Sequence, residues 1–512
     1  MRRPLRFLFS GYFVSAILIV LEVIALFWIF LELSAYSAYF LLGGLFIAFL
    51  SVFAVINANY NPEYKVTWIV IIFCLPIFGT MLFILFRRKK MSRRDWRCMR
   101  SALEGMREYS DDGALLRLQD SNAGAAGKAT AILKHSPAAA VYRDTRSEFF
   151  SDGEFMYEAM LRDLREASEF IFLEYFIIED GVMWRGIYDI LREKVRLGVE
   201  VRLLYDDVGC MSTLPRGFAR KLRADGIKVA CFGKVSPRIS SAHNNRDHRK
   251  ILVIDGNIGY TGGINIADEY INEVNRFGYW KDGGIRLEGD AVLGLSRMFL
   301  AMWDLTEGSN SDYGKYLTRD TADGIDEGDG GYYLTYGSGP LPIYPIHVGE
   351  RAFLDLINRA ERYLYITTPY LIVGYDLTDA LRGAALRGVD VRIITPAAAD
   401  KKLVKLFTKS SYPYLMEAGV KIYEYAPGFI HEKTLVSDDS YAIVGTINFD
   451  YRSLIHHYEN AVWMYNTPTI PKIREQFELT LRESRLMTRK RARLTVKEWL
   501  VRCLMRLFAP LL

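Results

Sequence analysis

The chain repeats itself, and the repeat decides most of what it can fold into. Gly198-Val199-Glu200-Val201-Arg202-Leu203-Leu204 reads as a turn and a buried strand, and Gly388-Val389-Asp390-Val391-Arg392-Ile393-Ile394 restates it 190 residues later. An apolar β-rich run precedes each copy, Phe170 to Ile178 and Tyr363 to Leu371, with a helical pattern between. A second matching strand follows each, Gly226-Ile227-Lys228-Val229 and Gly419-Val420-Lys421-Ile422. Strands alternating with helices of this length predict an α/β class with largely parallel sheets. The period is far too long for a solenoid. Two like α/β domains, 131–345 and 346–490, are therefore expected to pack as a pseudo-dimer and to share a site.

Each half carries one His-x-Lys-x4-Asp: His248, Lys250 and Asp255, then His431, Lys433 and Asp438. Residues i and i+2 of a strand point to one face, so His and Lys of each copy should project together. A small-residue turn ending in Asn follows each, Gly262-Gly263-Ile264-Asn265 and Gly445-Thr446-Ile447-Asn448, seven residues after the Asp in both copies. With only seven histidines in the chain, two such matches in register with a duplication are not coincidence.

This set suits phosphodiester exchange. One His attacks phosphorus to form a phosphohistidine, splitting a hard step into two. The other protonates the leaving oxygen, then deprotonates the incoming alcohol. Lys250, Lys433, Asn265 and Asn448 would surround the phosphate and stabilise charge on its oxygens. Asp255 and Asp438 complete the catalytic set. Asp282 and Glu459 lie 34 and 28 residues after the two histidines. Either could accept a hydrogen bond from the first or the second His and fix its tautomer.

No metal or other cofactor is expected. The five cysteines, Cys74, Cys98, Cys210, Cys231 and Cys503, are scattered and form no zinc-type spacing. The adjacent pair His456-His457 would point to opposite faces of a strand. No Gly-rich loop ends in Gly-Lys-Ser/Thr, so a P-loop is excluded as well.

The first ninety residues differ from the rest. Three apolar runs, Phe7 to Leu31, Ala35 to Asn57 and Val66 to Phe86, each reach the ~20 residues that cross a bilayer as a helix. Residues 1–90 are read as a membrane anchor of two or three transmembrane helices. Glu22 inside the first run is expected to face another helix. Arg2, Arg3 and Arg6 precede the runs, and Arg87, Arg88, Lys89, Lys90, Arg93, Arg94 and Arg97 follow them. Three crossings would put these clusters on opposite sides, against the positive-inside rule. Either the larger cluster dominates, or Pro76 and Gly79 bend the third run into a re-entrant segment. These clusters flank apolar runs instead of lining a groove, and the net charge is only +5, so a nucleic-acid partner is not expected. Residues 91–130 read as a helical linker. Residues 491–512 interleave Lys497, Arg502 and Arg506 with apolar side chains at helical spacing. That makes an amphipathic helix, suited to a membrane interface or to packing on the catalytic halves.

The twin motifs with trailing Gly-x-x-Asn resemble the phospholipase D superfamily. Within it, five segments are similar to bacterial cardiolipin synthases: Leu173-Glu174-Tyr175-Phe176, Leu204-Tyr205-Asp206-Asp207, His248-Arg249-Lys250, Thr261-Gly262-Gly263-Ile264-Asn265-Ile266 and Asn448-Phe449-Asp450-Tyr451-Arg452-Ser453. Pro62, Trp68, Pro76 and Gly79 match that family's anchor pattern, and the first apolar run is an addition to it. The resemblance spans residues from about 35 to the C-terminus. It implies two phospholipase D-type domains in a bacterial cytoplasmic membrane protein that condenses two phosphatidylglycerols into cardiolipin and glycerol. It also implies His248 as nucleophile and His431 as acid/base, although the near-symmetric halves leave that assignment open.

Overall fold

The computed structural model describes residues 38–86, 91–109, 113–137, 139–234, 244–318, 328–493 and 495–508, with isolated positions between 20 and 32. These form two compact units: 92–233 with 246–494, and 1–91 with 234–245 and 495–512.

The larger unit holds the duplication as two sheets. The first has seven strands, in the order Thr145–Phe150, Gly284–Gly289, Ile258–Gly262, Lys250–Ile254, Phe170–Tyr175, Glu200–Asp206, Lys228–Phe232. The second repeats that order strand for strand: Tyr332–Ser338, Glu459–Tyr465, Tyr441–Gly445, Thr434–Ser437, Tyr363–Thr367, Asp390–Pro396, Lys421–Tyr425. Two extra edge strands, Ala140–Tyr142 and Ser484–Leu486, widen it to nine. Ala140–Tyr142 and Tyr332–Ser338 thus lie within 131–345 in sequence but pair in the second sheet. The halves meet along Ile258–Gly262 and Gly284–Gly289 on one side, and Tyr441–Gly445 and Glu459–Tyr465 on the other.

The sheets are mixed, which corrects the expectation of largely parallel ones. Only the three strands at one end of each set of seven run parallel to one another. The rest are antiparallel. The reason is local. Asp255 and Gly256 both have positive φ, as do Asp438 and Asp439, so the chain reverses there in a tight hairpin and the next strand returns antiparallel.

Why these strands are buried follows from their composition. Phe170–Tyr175 and Lys250–Ile254 are inaccessible along their whole length, as strands covered on both faces must be. Val292–Glu307, buried through nearly all its turns, packs on the first sheet and on Tyr332–Ser338 of the second. The described residues of 92–130 form helices and belong to the same compact unit. Met99 and Ala102 are buried, Asn122 Nδ2 donates to Tyr465 Oη at 2.8 Å, and Lys128 Nζ sits 3.5 Å over the Tyr441 ring. These helices buttress the second sheet.

In the smaller unit, the second apolar run forms the helix Ala38–Asn57. The third breaks at Leu75 into Pro62–Cys74 and Pro76–Phe86. Leu75 precedes a proline and leaves the helical region (φ −136°, ψ 73°). Trp68 and Phe83 then stack edge-on with centroids 5.3 Å apart, whereas a straight helix would hold them about 22 Å apart. The run is a helical hairpin. At Gly79 an added Cβ would lie 2.6 Å from the Ile71 carbonyl oxygen, so only glycine permits the close reversal. Tyr64, Trp68, Ile72 and Phe83 bury between the hairpin arms and Ala48 and Val55 of the preceding helix. The terminal helix Val496–Phe508 belongs to this unit, not to the larger one. Among the described residues no helix is long and apolar enough to cross a membrane. The cluster of Arg2, Arg3 and Arg6, Glu22, and most of the first run lie outside the described residues, as do Arg87 to Lys90.

Candidate active site

His248 and Lys250 stand at the start of Lys250–Ile254, and His431 and Lys433 at the start of Thr434–Ser437, the equivalent strand. The backbone just before each His pairs with the other half. His248 N donates to Tyr458 O at 2.9 Å, and His431 N donates to Lys281 O at 2.7 Å. The residue after each acceptor is an acid, Glu459 and Asp282. Each acid therefore meets the histidine of the opposite half. His248 Nδ1 lies 2.9 Å from both carboxylate oxygens of Glu459, and His431 Nδ1 lies 2.7 Å from Asp282 Oδ2. The two candidate orienting residues are thus brought to the histidines, and the pairing is crossed between halves.

Glycine makes one of these approaches possible. A Cβ at Gly263 would fall 2.0 Å from Asp282 Oδ1 and 2.8 Å from His431 O. Asp282 is further held by Gly283 N at 2.9 Å, and Glu459 by the Thr446 hydroxyl.

Both histidines, both lysines and both acids are buried. Burial lowers His248 to about 3, only partly countered by Glu459, and lowers His431 to about 4 with Lys433 adding to the effect. Burial also brings Lys250 down to about 7 and Lys433 to about 8. Burial favours the neutral form of Glu459, but the facing His248 and His457 rings outweigh it and hold the carboxyl below its ordinary range. Each His is thus a neutral imidazole whose Nδ1–H faces a carboxylate, leaving Nε2 with a lone pair for chemistry. Lys433 Nζ also lies 2.8 Å from His431 Nδ1, and it bonds the His431 carbonyl. A single Nδ1 cannot both accept from the lysine and donate to Asp282. A carboxylate accepts only, so Asp282 takes the proton and Lys433 spends its hydrogens elsewhere. A bound anion would raise the pKa values of all four groups, because a nearby opposite charge favours the charged form.

The remaining sequence candidates divide. Asn265 is buried, accepting from Ile177 N at 3.0 Å and donating to Tyr270 Oη at 2.7 Å. Asn448 is buried with its Oδ1 unbonded among the described residues. Asp255 and Asp438 are not with the histidines. A strand separates them, about 16 Å from Lys to Asp at ~3.3 Å per residue. Asp255 accepts from Ser168 N, Ser168 Oγ, Glu169 N and Phe170 N at 2.7–2.9 Å. Asp438 accepts from Glu361 N, Arg362 N and Tyr363 N at 2.9–3.0 Å. Both tie the hairpin to the start of the neighbouring strand.

Sequence reasoning missed His457. It caps a single π-helical turn, Arg452–His456, so the strand argument against the pair does not apply. Its ring lies 5.3 Å from that of His248. His248, His457 and Glu459 form a buried group able to hold a metal ion, against the expectation of no metal-binding cluster. Phe176 lies 5.0 Å from His248, and Trp280 and Tyr270 lie 5.5 and 5.6 Å from His431. Single aromatics carry no sequence signature.

The family described as "Cardiolipin synthase, PLD-like domain" matches residues 160–276 and 353–481, one stretch in each half. The "Phospholipase_D-nuclease N-terminal" family matches residues 46–88. A cardiolipin synthase of Geobacillus kaustophilus is 33% identical over 429 residues, 82% of this chain and 83% of that protein. An uncharacterized protein of Streptococcus mutans is 41% identical over 470 residues, 90% of this chain and 99% of its own length. The crystal structure of a phosphatidylserine synthase from Haemophilus influenzae shares the fold, with TM-score 0.53 and 14% identity over 72% of this chain and 93% of that one. With one His-x-Lys-x4-Asp motif on the same strand of each repeat, and with this identity over most of its length, the chain belongs to the bacterial cardiolipin synthase family of the phospholipase D superfamily.

Proposed function

We propose that the chain is a cardiolipin synthase that transfers a phosphatidyl group from one phosphatidylglycerol to another. The observation that carries this reading is the crossed pairing of two buried His–carboxylate units from opposite halves beside two lysines. In the first step His431, which takes up a proton at Nε2 from solvent when the anionic phosphodiester binds, gives that proton to the leaving glycerol oxygen while the Nε2 lone pair of the neutral His248 bonds to phosphorus. In the second, His431 takes the hydroxyl proton of an incoming phosphatidylglycerol, whose oxygen displaces His248. One phosphodiester is exchanged for another, so the sequence is balanced without hydrolysis. His248 is the nucleophile in this reading on the resemblance to the family, since burial depresses both histidines and does not separate their roles. Lys250, Lys433 and Asn448 stabilise charge on the phosphate oxygens, Asn265 holds the loop beside them, and Glu459 and Asp282 fix the tautomers. Asp255 and Asp438 act by anchoring the strands.

Water must be kept from the phosphohistidine for transfer to win. The aromatic rings around both histidines and their burial support that role.

The anchor belongs to the same proposal. The Ala38–Asn57 helix exposes Leu42, Phe46, Phe49 and Phe53, and the hairpin exposes Phe73 and Leu75 at its tip. Such surfaces suit lipid. The hairpin arms, about 20 and 16 Å long, dip into a ~30 Å hydrocarbon core and return. With two crossings by the first two runs, both basic clusters then face the cytoplasm, which removes the conflict with the positive-inside rule. Trp499 and Leu500 on the exposed face of the last helix suit the interface.

Purified protein given phosphatidylglycerol, with and without phosphatidylethanolamine, tests the reaction. Cardiolipin and free glycerol in equal amounts are expected. Phosphatidic acid and glycerol without cardiolipin would mean a hydrolase.

A further inference from the structure

His457 has no place in the two-histidine mechanism, yet it stands beside it. Its Nδ1 lies 3.6 Å from Glu459 Oε1, beyond hydrogen-bond reach, and has no partner among the described residues. The ring is nine-tenths buried, so water does not readily satisfy it. Phe176 packs against both His457 and His248. Thus two imidazoles and a carboxylate from different parts of the chain converge, with ligand atoms all within 4.8 Å of one another.

We propose that His248, His457 and Glu459 form a site for a borderline divalent transition metal, zinc foremost, and that its occupancy shuts the catalytic centre off. The proposal rests on the synthase reading above, since it assigns regulation to that same centre. Two imidazoles and one carboxylate are a common zinc donor set, and a fourth position would stay open to water or a lipid phosphate oxygen. Zinc bonds of about 2.0–2.1 Å in tetrahedral array put ligand atoms about 3.3 Å apart. The observed pairs, 2.9 Å for His248 Nδ1 to Glu459 Oε1 and 3.6 Å for His457 Nδ1 to the same oxygen, bracket that value. The two histidine ligand atoms, within 4.8 Å of each other, have to close by at most about 1.5 Å.

Inhibition follows from which atom is taken. Metal binding at His248 Nδ1 breaks the hydrogen bond to Glu459 and moves the ring proton from Nδ1 to Nε2, so the imidazole stays neutral. Nε2 then carries the proton and has no lone pair for phosphorus. Metal binding and turnover then compete.

The test titrates full-length, chelator-treated protein in detergent with zinc alone, and measures cardiolipin formation at each level. Wild type is expected to take up one equivalent that His457→Asn loses, with turnover falling as that equivalent binds and returning on chelation. The loss in affinity should reach at least about 100-fold, the upper end for disturbed metal shells. His457→Asp has the same shape as the Asn variant but can ligate, and should restore the equivalent. Each variant is compared with its own chelated activity. Wild type that takes up no equivalent in sub-millimolar zinc overturns the proposal without any variant. So does uptake that His457→Asn leaves unchanged, or uptake with undiminished turnover. A chain that binds zinc as described but makes no cardiolipin in chelator sinks the synthase reading and leaves the metal site standing.

Discussion

Glu459 belongs to His248 and Asp282 to His431, so each acid serves the half it does not come from. Glu459→Gln and Asp282→Asn should therefore each slow both half-reactions. A loss of about 100- to 10,000-fold in kcat with little change in KM is expected, the range of a misplaced acid–base group. Steady-state kinetics on phosphatidylglycerol vesicles decides this; a change confined to KM would place the acids in binding instead. The residue scale also sets a pH dependence. Both histidines have folded pKa values, about 3 and 4, below their ordinary 6.5. The unfolded chain then binds more protons between those limits, so stability is full above about pH 6.5 and is lost as pH falls toward 4. Glu459, also depressed, adds loss in the same direction below its ordinary pKa. Thermal unfolding of the protein from pH 7 to pH 4 should show a falling Tm, less steep when His248 and His431 are both replaced by Gln; an equal slope would remove these residues as its cause. The crossed pairing was out of reach of the sequence, because spacings of 34 and 28 residues say nothing about which half an acid faces. His457 was hidden for another reason: the π-helical turn before it breaks the alternation from which its direction was judged.

At the scale of elements, the motif's aspartates show where sequence reading was half right. The recurrence of His, Lys and Asp was legible, and so were the strands that carry them. The x4 spacing, however, carries Asp255 and Asp438 across a whole strand, to hairpins whose positive φ values favour Asp and Gly. Asp255→Ala removes an acceptor that serves four donors. It should cost roughly 2–4 kcal/mol of stability, at about 1 kcal/mol for each net hydrogen bond. The variant that remains folded should turn over within a few-fold of wild type. Denaturant titration with parallel activity assays checks this, and full stability with lost turnover would return Asp255 to the chemistry. The same hairpins explain why the sheets came out mixed: periodicity marks strands, but it does not say that the next strand returns antiparallel through three residues, as at Asp255-Gly256-Asn257. Pro76 and Gly79, by contrast, were readable as a break, and the third apolar run does fold back there.

At the scale of the whole molecule, the duplication was the most legible property, since the two sheets repeat one strand order. The account gives the anchor an even number of crossings. In a chain freed of its own cysteines, Arg3→Cys and Lys90→Cys should both be shielded from a membrane-impermeant thiol reagent in intact cells and both react after permeabilisation; labelling of only one in intact cells would restore the third crossing. The central claim, that one histidine from each half serves a single phosphatidyl transfer, is tested most directly by trapping the intermediate. Quenching with denaturant at neutral pH during turnover with phosphorus-labelled phosphatidylglycerol, followed by peptide mapping kept out of acid, should find the phosphatidyl group on His248 alone, and none in His248→Ala. Label on His431 would reverse the two roles, and active enzyme that carries label on neither would contradict the covalent mechanism.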